Sequence, residues 1–203
     1  MNVKRCFLSC LAIAGLGLAS CASPPVPIAF SSQGKTRYLR CNLKAFANVM
    51  YVTNYIPPSY PVAGMVGSPT EVNMFSQQLI EISVNKIPYK MYPSTVPIPA
   101  TPDQFLGRYL TDDKEKLGLD KMEATKRQNI QTGLTPTVGM TKEEVYMILG
   151  PPLFVDFDYD ATALSYEAIM DKNRWVYATG KFWAWYFLQV FQFSEGKLTT
   201  TFQ

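Results

Sequence analysis

Cys21 is the residue of this sequence whose position best suits a covalent reaction. It directly follows the small residues Ala19 and Ser20, which end an apolar run. A thiolate in such a place can accept a diacylglyceryl group, and cleavage of the chain before the cysteine frees an amine for a further acyl chain. Several acyl chains anchor a protein to a membrane far more durably than one chain does. We therefore predict that Cys21 is a lipid attachment site.

The segment before this cysteine must then act as a secretory signal. Lys4 and Arg5 give it a positive start, and residues 7–18 are apolar but too few to span a bilayer comfortably. The residues Leu-Ala-Ser-Cys at 18–21 resemble the lipobox of bacterial lipoproteins. The resemblance implies that residues 1–20 are removed and that acyl groups such as palmitate hold the chain. The alternative is an ordinary signal peptide that happens to contain a cysteine.

The residues that follow Cys21 bear on the choice of membrane and on the distance from it. Ala22, and not an aspartate, comes next. By analogy with lipoprotein sorting in enteric bacteria, this residue favours a lipid anchor in the outer membrane, with the chain facing the periplasm. Residues 21–34 are rich in proline and serine, which predicts an extended tether.

Charge and composition argue against several classes of function. The 203 residues carry a formal charge of +3, and loss of the leader leaves 17 basic and 16 acidic residues. A nearly neutral chain without a basic tract has no electrostatic reason to bind nucleic acid. The sequence has no histidine, nucleophile motif, phosphate loop or dinucleotide fingerprint. We predict that the protein is not an enzyme and uses no cofactor, with a carboxylate-only hydrolase as the remaining alternative.

Two further sets of residues are candidates for a metal site or a disulfide. Asp156, Asp158 and Asp160 alternate as in a calcium loop, but the glycine and the distal glutamate of such a loop are missing at loop spacing. We therefore predict no metal site. The two cysteines of the leader are lost with it, so Cys41 has no intramolecular partner. Cys41 is either a small buried apolar residue or a thiol with a redox or intermolecular role.

The most strongly specified element of the chain is a short helix that begins after Thr141. Thr141 is a favourable N-cap, and Glu144 three residues later completes a capping box. Apolar residues follow at i, i+3 and i+4 spacing, and a glycine and a proline then end the helix. These residues are Val145, Ile148, Leu149, Gly150 and Pro151.

The same stretch resembles the SmpA/OmlA (BamE-like) family of outer-membrane lipoprotein domains. The likeness lies in Gly-Met-Thr at 139–141, Glu-Val at 144–145, Leu-Gly-Pro at 149–151, Trp-x-Tyr at 175–177 and Phe-Ser-Glu-Gly-Lys-Leu at 193–198. The resemblance covers residues 120–203 and implies two helices followed by a three-stranded antiparallel sheet. It also implies an accessory role in outer-membrane assembly, through contacts with envelope or barrel-assembly proteins. Residues 153–172 are a longer connection than such a domain requires, with a short helix expected near 164–170.

The strand predicted at 182–193 is apolar on both of its faces. Strands are also expected at 173–178 and 198–202, with turns at 180–181 and 194–197, after a helix from Asp120 to Ile130. One face of the long strand should cover the helices, while the other would lie in water unless the rest of the chain covers it. Either the rest of the chain covers this second face, or the strand provides a surface for a partner. Its residues would be Trp183, Trp185, Phe187 and Phe191.

Residues 35–92 predict a small β domain of short strands. The expected strands are 35–46, 48–56, 71–75, 80–84 and 87–91. Their close spacing favours an SH3-like barrel or a plain meander, and Pro88 would place the last strand at an edge. The glycine-containing loop at 61–72 resembles the segment before a strand in bacterial SH3-like modules, which often bind peptides or cell-wall fragments.

Prolines and short helices connect this region to the C-terminal part. Residues 93–119 are predicted as a linker in which Thr101 or Asp103 caps a helix over 104–110. The charges at 112–116 are either a solvated surface or a docking face for a partner.

The expected class is α+β, with an SH3-like barrel or meander followed by a BamE-like αα-βββ domain. The leading functional hypothesis is a lipid-anchored accessory protein of envelope assembly. The alternative is a peptide-binding or peptidoglycan-binding lipoprotein that acts through its first domain.

Overall fold

The protein has a mixed α+β fold with one large curled sheet, a second antiparallel sheet and few helices. A computed structural model describes residues 24–50, 61–92, 101–133, 135–156, 164–182 and 185–202, without the side chains of 178–187. The expected α+β class is confirmed at this level.

Eight short strands form the large sheet. They are β1 (Thr36–Leu39), β2 (Leu43–Phe46), β3 (Val49–Met50), β4 (Val62–Gly64), β5 (Pro69–Phe75), β6 (Ile80–Val84), β7 (Ile87–Met91) and β8 (Leu110–Thr111). Their order is β4-β2-β3-β7-β6-β5-β1-β8. Alternate residues of β5 and β6 are buried, as a strand with one face on the core requires. The strands predicted at 80–84 and 87–91 are confirmed as β6 and β7, but the expected burial of alternate residues holds only in β6, because Ile87 is 54% exposed.

The single strand predicted over residues 35–46 is instead two strands, β1 and β2. The break lies at Arg40 and Asn42, whose backbone N–H groups donate to carbonyls of helical residues far along the chain. Arg40 N–H donates to Tyr109 O at 2.7 Å, and Asn42 N–H donates to Met147 O at 2.8 Å. These distant carbonyls compete with a strand ladder, so a local pattern could not show the break.

The position of β7 corrects the prediction that Pro88 marks an edge strand. β7 lies between β6 and β3 and pairs with β3 in parallel, through Lys90 and Met91. Pro88 precedes this short contact, so its missing N–H removes no hydrogen bond to β3. The predicted turn between β6 and β7 is confirmed. Asn85 and Lys86 both have positive φ angles, 51° and 67°, which is typical of a two-residue hairpin turn.

Four helices accompany the sheets in the part of the chain that the structure describes. They are α1 (Pro102–Tyr109), α2 (Ala124–Gln131), α3 (Lys142–Leu149) and α4 (Tyr166–Met170). The capping box of α3 is confirmed, because Glu144 N–H donates to Thr141 Oγ1 at 3.3 Å and Thr141 N–H donates to Glu144 Oε2 at 3.1 Å. Thr101 caps α1, also as predicted.

The predicted start of α2 at Asp120 is wrong. Gly118 takes a left-handed conformation, and residues 119–121 form a separate 3₁₀ turn. Met122 is extended, and α2 begins only at Ala124. The left-handed Gly118 leads into a separate 3₁₀ turn, and α2 can begin only after this turn.

The second sheet has four strands in the order β12-β11-β10-β9. They are β9 (Phe154–Val155), β10 (Arg174–Phe182), β11 (Trp185–Ser194) and β12 (Lys197–Phe202). Gly180 and Lys181 do not form the predicted turn but lie inside β10, opposite Phe187 and Tyr186. The turn at Glu195 and Gly196 is confirmed by positive φ angles of 51° and 74°. The long connection adds β9 as a fourth strand and contains α4.

One cluster of buried side chains spans both predicted domains. It includes Leu39 and Ile82 from the first sheet and Val145, Trp175 and Phe191 from the C-terminal part. Polar contacts join the same two parts. The guanidinium carbon of Arg40 lies 4.2 Å from the centroid of the Tyr166 ring, and Asn42 N–H donates to Met147 O at 2.8 Å. The two parts thus pack as one body, while their division into domains stays a prediction.

Candidate functional site

The residues predicted from the sequence as sites fall in different parts of the chain. Cys21 and Trp183 lie outside the described residues. Trp185 and Phe187 belong to β11, but their side chains are not among those described. Phe191 is fully buried.

Phe191 therefore has to be removed from the predicted partner surface. Its ring meets that of Tyr177 edge-on, with 5.3 Å between the centroids. Phe193, two residues on, packs against Trp175 at 4.7 Å. Both belong to the face of β11 that covers the core, whereas Leu188 on the other face is 39% exposed. The sequence could not distinguish the two faces, because both are apolar.

The structure brings other residues together in an open groove of about 350 Å³. One wall is the loop before β5, and the other is formed by the 3₁₀ turns before α2 and by α2 itself. Two cationic side chains, one carboxylate and several amide or hydroxyl groups line it. The residues are Met65, Val66, Gly67, Ser68, Pro69, Asn85, Lys114, Leu119, Asp120, Arg127 and Gln131.

A tight turn shapes the first wall of this groove. Ser68 N–H donates to Met65 O at 3.0 Å, and Gly67 has a φ of 83°. These features are typical of a type II turn, which needs glycine at its third position. A Cβ atom on Gly67 would lie 2.7 Å from Leu119 Cδ1. Gly67 therefore also allows the loop to approach the second wall closely.

Asn42 holds the two walls together from beneath. Its side-chain Nδ2 donates to Ile130 O at 2.6 Å, and its Oδ1 accepts from Val66 N–H at 2.9 Å. Its backbone N–H reaches α3 through Met147 O. Asn42 is only 6% exposed, so these hydrogen bonds are shielded from water. The loop and the end of α2 are thus fixed to each other by one side chain.

The groove carries uncompensated positive charge. Its charged side chains are Lys114, Arg127 and Asp120. The ion pairs found among the described residues join Arg37 to Asp112, Lys126 to Glu144 and Lys172 to Asp156. Neither cation of the groove takes part in one of them. Arg127 and Gln131 are four residues apart on α2 and so lie on the same side of the helix.

The chain was also compared with known proteins. No family model, curated protein or solved structure matches it. Any function must therefore be argued from the residues and from this geometry. Among the described residues, no helix is both long and apolar enough to cross a bilayer.

The sequence contains a signal for each wall of the groove, but no signal that the two walls lie side by side. The loop at 61–72 resembles a segment of SH3-like modules, and the charges at 112–116 predict either a solvated surface or a docking face. Arg127 lies in the helix predicted from Asp120 to Ile130. About fifty residues separate the loop from this helix, so no spacing rule could bring the two together.

The aspartates that resemble a calcium loop are engaged differently where the structure describes them. Asp156 Oδ1 accepts from Arg174 N–H at 3.1 Å, and Asp156 Oδ2 lies 3.7 Å from Lys172 Nζ. Asp158 and Asp160 lie outside the described residues. The carboxylate of Asp156 thus ties the long connection to β10.

Cys41 is completely buried, as one of its two predicted roles requires. Burial raises the pKa of its thiol from 9.0 to about 12, and the nearby charges of Arg40 and Arg108 lower it only in part. The thiol therefore stays protonated and unreactive at neutral pH. Because the unfolded chain loses this proton first, the thiol stabilises the fold below about pH 9, and this contribution is lost as the pH rises through about 12.

We expect Cys41 to resist iodoacetamide at pH 8 in the native protein and to react fully in urea. Mass spectrometry of the alkylated protein measures both states. If Cys21 carries a lipid, the unfolded membrane-extracted protein should gain one label, on Cys41. Rapid labelling without urea would contradict the burial of Cys41, and a second label on Cys21 would contradict lipidation.

Proposed function

We propose that the chain is a lipid-anchored protein that faces the periplasm and has an accessory role in outer-membrane or envelope assembly. It acts through protein–protein contacts, not through a reaction. The observation that carries the proposal is the order of elements: α2 and α3, followed by the antiparallel strands β10, β11 and β12. This is the order that the resemblance to the SmpA/OmlA (BamE-like) family implies. An SH3-like first part remains a proposal of the same kind.

The contacts of the N-terminal segment imply that only a short stretch of chain separates Cys21 from the folded body. Ile28 N–H donates to Phe75 O at 2.8 Å, and Ser31 Oγ donates to Asp103 Oδ1 at 2.9 Å. The tether predicted for residues 21–34 is thus attached to the folded body from Ile28 onward. Seven residues at about 3.5 Å each span at most about 25 Å. An acylated Cys21 would therefore keep the body close to the membrane, where partners in the outer membrane lie within reach.

A pull-down of the tagged, membrane-extracted protein tests the proposal. Barrel-assembly components should co-purify with it, and an untagged strain supplies the background. Their absence from the eluate, together with binding of the protein to purified peptidoglycan, would support the alternative function instead.

Replacing Cys21 by alanine is expected to release the protein from the membrane fraction. Without the thiolate no diacylglyceryl group can be attached, so the lipid anchor is lost. Fractionation followed by immunoblotting measures the change. Cys10→Ala, which alters a cysteine within the leader, is the matched control and should leave the protein at the membrane. A Cys21→Ala protein with wild-type mass and wild-type membrane fraction would refute the lipid anchor.

A peptide-binding role is the second candidate function, and the groove favours it. The loop that resembles a segment of SH3-like modules forms one of its walls. Binding there does not exclude the first function, because no residue of β11 lines the groove.

A further inference from the structure

The groove holds two cationic side chains that are available to a ligand. Lys114 lies on one side of it, and its Cε atom is 4.0 Å from the position of a Cβ on Gly67. Arg127 lies on α2, and both residues line the groove. Neither forms an ion pair with a carboxylate of the described chain. A guanidinium and an ammonium that face the same space bind carboxylate oxygens through charge-assisted hydrogen bonds.

We propose that this groove binds the free α-carboxylate end of a short peptide. The inference deepens the second candidate function and is independent of the leading one. Lys114 and Arg127 hold the carboxylate, and the neighbouring polar groups hold the last amides of the peptide.

The charge of the lining favours a carboxylate over a phosphate. Two cations and the carboxylate of Asp120 leave a single net positive charge. A carboxylate with one negative charge balances it, whereas a doubly charged phosphate would leave one negative charge in excess. Asp120 can instead accept a hydrogen bond from an N–H group of the peptide.

The remaining lining suits a peptide backbone. Asn85 and Gln131 offer both donors and acceptors, as amide groups require. Asn85 Nδ2 lies 3.4 Å from Ser68 Oγ, which holds the two polar groups side by side. Met65, which is 45% exposed, and Leu119 supply apolar surface for a small side chain. A volume of about 350 Å³ is at the small end of ligand sites, so it fits two or three residues.

Both walls are fixed before a ligand arrives. The type II turn at Gly67 sets the loop, and Asn42 joins that loop to the end of α2. A site that is already in place costs less conformational entropy on binding than one that must be ordered.

Isothermal titration calorimetry of the full-length protein in detergent tests the proposal, with N-acetyl-trialanine as the probe. We expect binding of the free acid and at least about tenfold weaker binding of its C-terminal amide. A variant with both Lys114→Gln and Arg127→Gln should lose affinity for the acid by at least about tenfold. The matched control changes Lys116 and Lys121 to glutamine and should leave the affinity unchanged, because these two exposed lysines lie in the turns before α2 but do not line the groove.

Three results would overturn the proposal: no heat from the free acid, equal affinity for acid and amide, or equal loss in the control variant. Displacement of the peptide by inorganic phosphate at lower concentration than the peptide itself would also overturn it, in favour of a phosphate site. Circular dichroism verifies that the double variant is folded, which is expected because Lys114 is exposed and Arg127 is half-exposed. Membrane fractionation and the pull-down do not depend on these residues, so their outcome is judged separately.

Discussion

Replacing Trp175 by alanine is expected to lower the free energy of unfolding by about 3–5 kcal/mol. Trp175 is fully buried in β10, with its ring centroid 4.7 Å from that of Phe193 and 6.1 Å from that of Tyr146. Its indole Nε1 donates to Ile169 O at 3.2 Å. The substitution leaves a large apolar cavity and removes one of the hydrogen bonds to Ile169 O, which also accepts from Lys172 N–H at 3.1 Å. Urea denaturation followed by circular dichroism measures the loss.

Two further variants separate the causes of this loss. Trp175→Phe keeps an aromatic ring but removes the hydrogen bond to Ile169 O, and should cost about 1–3 kcal/mol. Val138→Ala changes a side chain that is 67% exposed and should stay within about 0.5 kcal/mol of wild type. Equal stability of the alanine variant and wild type would contradict the packing around Trp175.

The same titration bears on domain organisation. Because one cluster of buried residues joins the first sheet to β10 and β11, we expect a single cooperative transition in urea. Destabilisation by Trp175→Ala should shift this whole transition. Two separate transitions, with only one shifted, would instead support two domains.

Local signals in the sequence were sufficient for some elements. The capping box of α3 depends on Thr141 and Glu144, which lie within one helical turn of each other. The turn at Asn85 and Lys86 depends on two adjacent residues with positive φ angles. Such features need no knowledge of the rest of the fold, so a sequence pattern identifies them.

Features that depend on distant parts of the chain could not be predicted. The parallel pairing of β3 with β7 joins Val49 to Lys90, and no sequence signal marks that contact. Gly180 and Lys181 do not form a turn because β10 pairs with β11 as far as Phe182. The groove could not be predicted from the sequence for the same reason. Its walls are separate in sequence, and a buried asparagine joins them.

Asn42→Leu is expected to lower the free energy of unfolding by about 2–4 kcal/mol, although leucine has the same branched shape. Val66 N–H would lose its acceptor in a site that is only 6% exposed, and Ile130 O, which also accepts from Gly133 N–H at 3.1 Å, would lose one of its hydrogen bonds. The unpaired N–H group costs about 1–3 kcal/mol, and the lost hydrogen bond about 0.5–1.5 kcal/mol. Urea denaturation measures the effect.

Asn42→Asp sharpens this prediction, because it keeps the acceptor for Val66 N–H and loses the donor to Ile130 O. A buried carboxylate beside that carbonyl is unfavourable, whereas the protonated acid can donate a hydrogen bond to it. The stability of the aspartate variant relative to wild type should therefore rise as the pH falls, and that of Asn42→Leu should not. Asn73→Leu is the control, since Asn73 makes its hydrogen bond to Ser83 on the exposed side of β5 and should cost less than about 0.5 kcal/mol. If Asn42→Leu is no more harmful than this control, Asn42 does not hold the walls of the groove together.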